Sequence, residues 1–197
     1  MARAKNTPND PQRRERILTA TMRILQEEGI SAVRARTVAA WAEVPLSSVS
    51  YHFPSVRDLL LEASRRVAAL RTESLEAWSA QVTRGVIHRR LAEQIHEQIT
   101  TGRELTVIAY ELYLLGLRDE DFRSISHAVA ESLREALAAH LPAADAARLA
   151  ATADGLQLSS LLAYVPPSVE ELEDALRTEG AQDAGLTPSA ARRPAGR

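Results

Sequence analysis

The distribution of apolar positions predicts helices throughout the chain. Over residues 11–28, Ile17, Leu18, Ile24 and Leu25 fall on one helical face, and Gly29 supplies a stop. Two short helices are predicted next, at 36–42 and 45–52, separated by a break at Glu43-Val44-Pro45. Pro45 suits a first helical turn, where its missing N–H removes no bond. Phe53-Pro54 ends the third helix, and Ser55 with Asp58 three residues later offers a cap for a long fourth helix reaching about residue 80. Further helices are expected at 83–100, 103–118, 120–140, 143–164 and 168–179, the last opened by Ser168 and Glu171 in the form of a capping box. Strict alternation with β-branched enrichment is absent, so no sheet is expected. Residues 1–10 and 180–197 lack apolar periodicity and read as a disordered arm and tail, with the N-terminal arm a candidate for supplementary DNA contact.

Composition agrees with an all-α chain. Aromatic residues make up 4% and only 8 of 197 residues are Gly, while Ala, Leu, Glu, Arg and Gln dominate. At 45% hydrophobic the chain can build a sizeable core in one or two domains. The absence of Cys excludes disulfides, thiolate metal sites and cysteine nucleophiles, and fits a reducing cytoplasm. The polar N-terminus and the lack of any run of roughly 18 apolar residues argue against secretion and membrane insertion.

Charge is unevenly placed. Residues 1–60 hold 9 Lys/Arg against 6 Asp/Glu, a net +3, leaving 15 against 20, a net −5, for residues 61–197. A basic head on an acidic body points to a polyanionic partner for the head alone.

The stretch 34–60 carries the functional signal. Two helices of seven or eight residues joined by a three-residue break, behind a longer helix, form the footprint of a helix-turn-helix. Such a recognition helix must be short and rigidly backed so that its first residues reach base edges in a major groove roughly 12 Å wide. Ser47 and Ser48 permit close approach, Leu46 can touch thymine methyls or sugars, and Val49 and Phe53 can pack back into the head. Tyr51 and His52 can offer a hydroxyl and an imidazole N–H to phosphates, although tyrosine also serves as a half-buried packing residue. For Trp41, packing is favoured over DNA contact.

Val38-Ala39-Ala40-Trp41-Ala42-Glu43-Val44-Pro45-Leu46-Ser47-Ser48-Val49-Ser50-Tyr51-His52-Phe53 resembles the TetR-family signature, as do Glu27-Glu28-Gly29-Ile30 before it and Arg57-Asp58-Leu59-Leu60 after it. The resemblance covers residues 11–62 well and the remainder only as a helical domain of suitable length. It implies a three-helix DNA-binding head at 11–54 and a helical ligand-binding and dimerisation domain at 55–179. The expected function is a homodimeric repressor bound to a palindromic operator and released by a small lipophilic effector, without cofactor or metal. On this basis Arg34, Arg36, Thr37, Pro45, Leu46, Ser47, Ser48, Tyr51, His52 and Arg57 are expected at the DNA. Glu43 replaces the usual turn Gly, so either the turn avoids positive φ or Glu43 is strained. Val56 replaces a phosphate-binding lysine, whose role passes to Arg57. Arg34 stands where a Ser or Thr cap is customary, which weakens the cap.

In the body, Leu158, Leu161, Leu162 and Val165 form one stripe and Leu172 and Leu176 extend another with Val169, enough for a four-helix interface between two chains or for the monomer's own core. The helix 103–118 is apolar almost all round and is expected at the domain centre beside a cavity. Trp78, Tyr110, Glu111, Tyr113 and His127 are the candidate cavity residues. Glu111 would suit a cationic ligand, yet Glu104, Glu111 and Arg118 recur every seven residues and equally describe a solvated stripe. The five histidines form no metal-binding pattern, and no phosphate loop, nucleophile elbow or acid–base pair suggests an enzyme. An activator or architectural DNA-binding protein with the same head is the alternative.

Overall fold

The computed structural model describes residues 12–177, so the expected arm and tail lie outside the described residues. These residues form nine α-helices and no strand: α1 (Arg13–Glu28), α2 (Ala35–Trp41), α3 (Leu46–His52), α4 (Val56–Ser79), α5 (Ile87–Ile99), α6 (Arg103–Leu115), α7 (Glu120–Ala138), α8 (Ala143–Leu161) and α9 (Val169–Arg177). One-turn 3-10 helices at Ile30–Ala32 and Arg84–Val86 precede α2 and α5. The all-α expectation therefore holds, with helix ends trimmed by a few residues.

Two ends show why the trimming occurs. Helix α1 stops where Gly29 turns to φ 79°, its N–H bonding Leu25 O at 3.2 Å. Helix α6 stops at Leu115 because α7 crosses closely over Gly116. A Cβ there would lie 2.9 Å from Ser126 Oγ and 3.1 Å from Arg123 Cα, a contact no larger residue fits without displacing α7.

The α2–α3 turn is a Schellman closure. Val44 N bonds Ala39 O at 3.0 Å and Glu43 N bonds Ala40 O at 3.2 Å, with Glu43 at φ 53°. Of the two outcomes left open for Glu43, the strained one is found. A left-handed residue with a Cβ costs about 1–2 kcal/mol, and the turn is held by the burial of Val38, Ala39 and Val44 on its flanks.

Both predicted caps form. Ser55 Oγ accepts from Asp58 N at 3.2 Å and donates to Asp58 Oδ2 at 2.7 Å. At α9, Ser168 N bonds Glu171 Oε2 at 2.8 Å while Glu171 N bonds Ser168 Oγ at 3.2 Å, the reciprocal capping box. Arg34 precedes α2 without any side-chain cap bond.

Two cores follow. The first joins Ile17, Ile24, Val38, Val49 and Phe53 of the head to Leu59, Ala63 and Val67 of α4 and to Ile108 and Leu112 of α6. The second lies in the body among Trp78, the apolar face of α5, Leu137 and the inner faces of α8 and α9. Helices α4 and α6 are thus common to head and body.

Candidate DNA-binding surface and ligand cavity

The head buries Val49 and Phe53 as the spacing predicts, and this orients the rest of α3 outward. Leu46 (41% exposed), Ser47, Ser50 and Tyr51 (83% exposed) occupy the outward side at i, i+1, i+4 and i+5. Ser50 completes this face and was missed as a candidate, although its helical spacing from Leu46 and Ser47 was visible. Ser48 is half-buried, its Oγ accepting from Arg13 Nη1 at 3.4 Å. His52 is also half-buried and meets the Tyr51 ring edge-on, 5.1 Å between centroids. Pro45, Arg34 and Arg36 are exposed, and Thr37 is half-buried. Trp41 packs against the head core with the Arg23 guanidinium 5.0 Å from its ring centroid.

Arg57 is engaged within the chain. Its Nε and Nη2 donate to the two Asp119 oxygens at 2.7 Å each, and Nη2 also reaches Asp121 Oδ2 at 2.6 Å. The guanidinium lies 5.8 Å from the Phe122 centroid. This fork clamps the start of α4 to the start of α7 and holds the Asp119 carboxyl below the usual carboxylate range. The guanidinium expected at phosphate is thus placed in a tie between α4 and α7.

A cavity of about 310 Å³ lies in the body between α4, α5, α6, α7 and α8. Trp78, Tyr110 and Tyr113 line it as expected. The Trp78 indole N–H donates to Arg90 O at 3.1 Å, which satisfies the ring's one polar atom within the protein. The Tyr110 hydroxyl donates to Gln157 Oε1 at 3.1 Å and lies 3.3 Å from the Asp154 carbonyl, and Gln157 Nε2 in turn donates to Gln98 Oε1. Burial raises the Tyr110 phenol to about 12, so it stays neutral.

Two cavity assignments need correction. His127 is exposed, with its neighbours Ile125, Ser126 and Val129 lining the cavity instead, one step around α7. Glu111 faces neither cavity nor open solvent. Its Oε2 accepts from Ile30 N at 3.3 Å, at the junction between α1 and α2. The charged residues that do line the cavity are Arg71 on α4 and Asp154 on α8. Neither side chain makes a hydrogen bond or ion pair with a described residue. Burial pushes the Asp154 carboxyl up, opposed by the Arg71 charge, and pushes the Arg71 guanidinium down. The available sequence signal was Gln157, a polar residue on the buried stripe Ala146, Leu149, Ala150 and Ala153.

The proposed dimer stripes also divide. Leu161, Leu172 and Leu176 are buried in the monomer's second core, because α9 lies against α5 and is tied to it by Arg89 contacts to Glu170 at 2.9 Å and Glu173 at 3.4 Å. Leu158 (47%), Leu162 (80%) and Val165 (79%) remain exposed. Exposed apolar side chains at this end of α8 thus remain uncovered within the monomer.

A helix-turn-helix head joined through shared helices to a body with a cavity defines a helical transcriptional regulator. Residues 17–63 match the family model for bacterial regulatory proteins of the tetR family, and residues 82–179 match the tetracyclin repressor-like C-terminal domain. A TetR-family member from Streptomyces coelicolor A3, SCO1917, is 34% identical with a TM-score of 0.74, covering 84% of this chain and 96% of its own. The multidrug binding protein EbrR in complex with ethidium is 34% identical with a TM-score of 0.75, covering 85% of this chain and 98% of its own. The chain belongs to the TetR family, whose members are transcriptional regulators and not enzymes. No curated protein matches it.

Proposed function

We propose that the chain is a repressor that binds a palindromic operator as a homodimer and leaves it when a small lipophilic molecule enters the body cavity. The observation that carries this reading is the outward face of α3, with Leu46, Ser47 and Tyr51 presented by the buried Val49 and Phe53. Residues 11–54 act as the head and 55–179 as the body. Arg34, Arg36, Thr37, Pro45, Leu46, Ser47, Ser48, Tyr51 and His52 form the DNA surface, to which Ser50 is added. The partner copy covers Leu158, Leu162 and Val165, since exposed apolar groups gain by burial at about 25 cal/mol per Å².

The ligand residues are Trp78, Tyr110 and Tyr113, joined by Arg71, Asp154 and Gln157. The aromatic lining supports a flat occupant, as do the complexes of EbrR with ethidium, malachite green and proflavin. Two recognition helices must enter successive major grooves roughly 34 Å apart. A ligand with higher affinity for a dimer of another head spacing therefore lowers operator affinity. Such a repressor works in the cytoplasm, where the DNA is, and among the described residues no helix is long and apolar enough to cross a membrane.

Selection of bound duplexes from a random pool tests the reading. Recovery of an inverted repeat with half-sites one helical turn apart or a multiple of it supports it, and recovery of unrelated sequences or single half-sites overturns the dimeric operator. A promoter reporter carrying the recovered site distinguishes repression from activation.

A further inference from the structure

The charges in the cavity define its occupant more narrowly than its size does. Among the described residues the cavity has one formal cation, Arg71, and one formal anion, Asp154, on different helices. Neither side chain makes a hydrogen bond or an ion pair with a described residue, and each is felt by the other only as a charge at a distance within the cavity. The remaining polar groups are already engaged or neutral: Tyr110, Gln157 and Gln98 bond one another. Asp154 is exposed and Arg71 half-buried, so solvent reaches both charges, and an occupant that displaces this solvent must supply an opposite charge to each.

We propose, on the basis of the cavity being the effector site, that it selects an amphoteric molecule: an apolar aromatic body carrying a cationic group that meets Asp154 and an anionic group that meets Arg71. A lone cation would gain from Asp154 and lose to Arg71, and a lone anion would do the reverse. Only a molecule with both groups gains at both walls. Trp78 and the tyrosines supply faces for the aromatic body.

The test is calorimetric titration of the full chain, without DNA, by four indoles of similar shape: L-tryptophan, tryptamine, 3-(indol-3-yl)propionate and 3-methylindole. The amphoteric tryptophan is expected to bind about tenfold or more tightly than either singly charged analogue, the worth of one charged hydrogen bond. Arg71→Met is expected to shift the preference to tryptamine and Asp154→Asn to indolylpropionate. Because neither side chain has a partner to lose, both variants should keep the helical circular dichroism of the parent. Where one of them does not, Arg71→Gln and Asp154→Ser provide the same contrast.

Equal or tighter binding of tryptamine, an unchanged order in both variants, or no binding of any indole at millimolar concentration would each overturn the inference. Operator binding by the same preparation is a separate readout. A chain that ignores DNA removes the regulator reading, whereas the order of the four indoles still decides the charge selectivity.

Discussion

Glu111 Oε2 accepts a hydrogen bond from the backbone N–H of Ile30 at 3.3 Å, and its Oε1 lies 3.6 Å from the point where a Cβ on Gly29 would stand. A carboxylate of the body's α6 thus satisfies an amide that the turn after α1 leaves without an intrahelical partner. Its neighbours Tyr110 and Tyr113 line the cavity, so α6 borders the cavity with one face and the head with another. Glu111→Ala should lower the melting temperature by about 2–4 °C, the equivalent of about 1 kcal/mol. Operator affinity should fall with it, because the head loses a tether, while ligand affinity measured without DNA stays the same. A tenfold loss of ligand affinity would return Glu111 to the cavity.

Tyr51 is 83% exposed beside the outward face of α3. Its removal should leave the fold intact and remove a phosphate contact. Gel-shift titrations of Tyr51→Ala should show about tenfold weaker binding to operator and to non-specific duplex alike, with an unchanged salt slope because no charge is lost. Leu46→Ala should weaken the operator alone. Unchanged binding by a folded Tyr51→Ala would remove Tyr51 from the interface.

The Arg57–Asp119 fork gives a pH signature. The folded-state Asp119 carboxyl is held below its unfolded value, so the fork's stability is fully present above the ordinary aspartate range and is lost as pH falls through the depressed folded value. The melting temperature of Asp119→Asn should lie below that of the parent at neutral pH, with the gap closing below about pH 4. Arg57→Met should behave in the same way and leave the salt slope of DNA binding unchanged. A reduced slope would assign Arg57 to a phosphate after all.

Leu162 and Leu172 separate assembly from folding. Leu162 is 80% exposed and Leu172 1% exposed within the monomer. Light scattering of Leu162→Glu should report a folded monomer that has lost operator affinity, since half-site binding cannot replace two heads. Leu172→Glu should unfold or aggregate, because a carboxylate would be forced into the packing of α5 and α9. A stable dimer from Leu162→Glu would place the interface elsewhere.

Local sequence determined the helices, their caps and the recognition face. Periodicity placed Ile17, Ile24, Val49 and Phe53 inward, Ser168 and Glu171 cap each other, and Gly29 ends α1, because each depends on residues no more than a few turns apart. The tertiary structure alone decided which polar residues meet. The seven-residue spacing of Glu104, Glu111 and Arg118 describes a stripe equally whether solvent or another helix lies above it, so the partner of Glu111, 81 residues away, could not be read from α6. The same limit applies to Arg57 with Asp119, to Arg71 and Asp154 across the cavity, and to Leu161, Leu172 and Leu176 in the monomer core. An apolar stripe specifies that a helix face is buried. The rotation and crossing of the neighbouring helices, set by packing summed over the whole chain, specify what buries it.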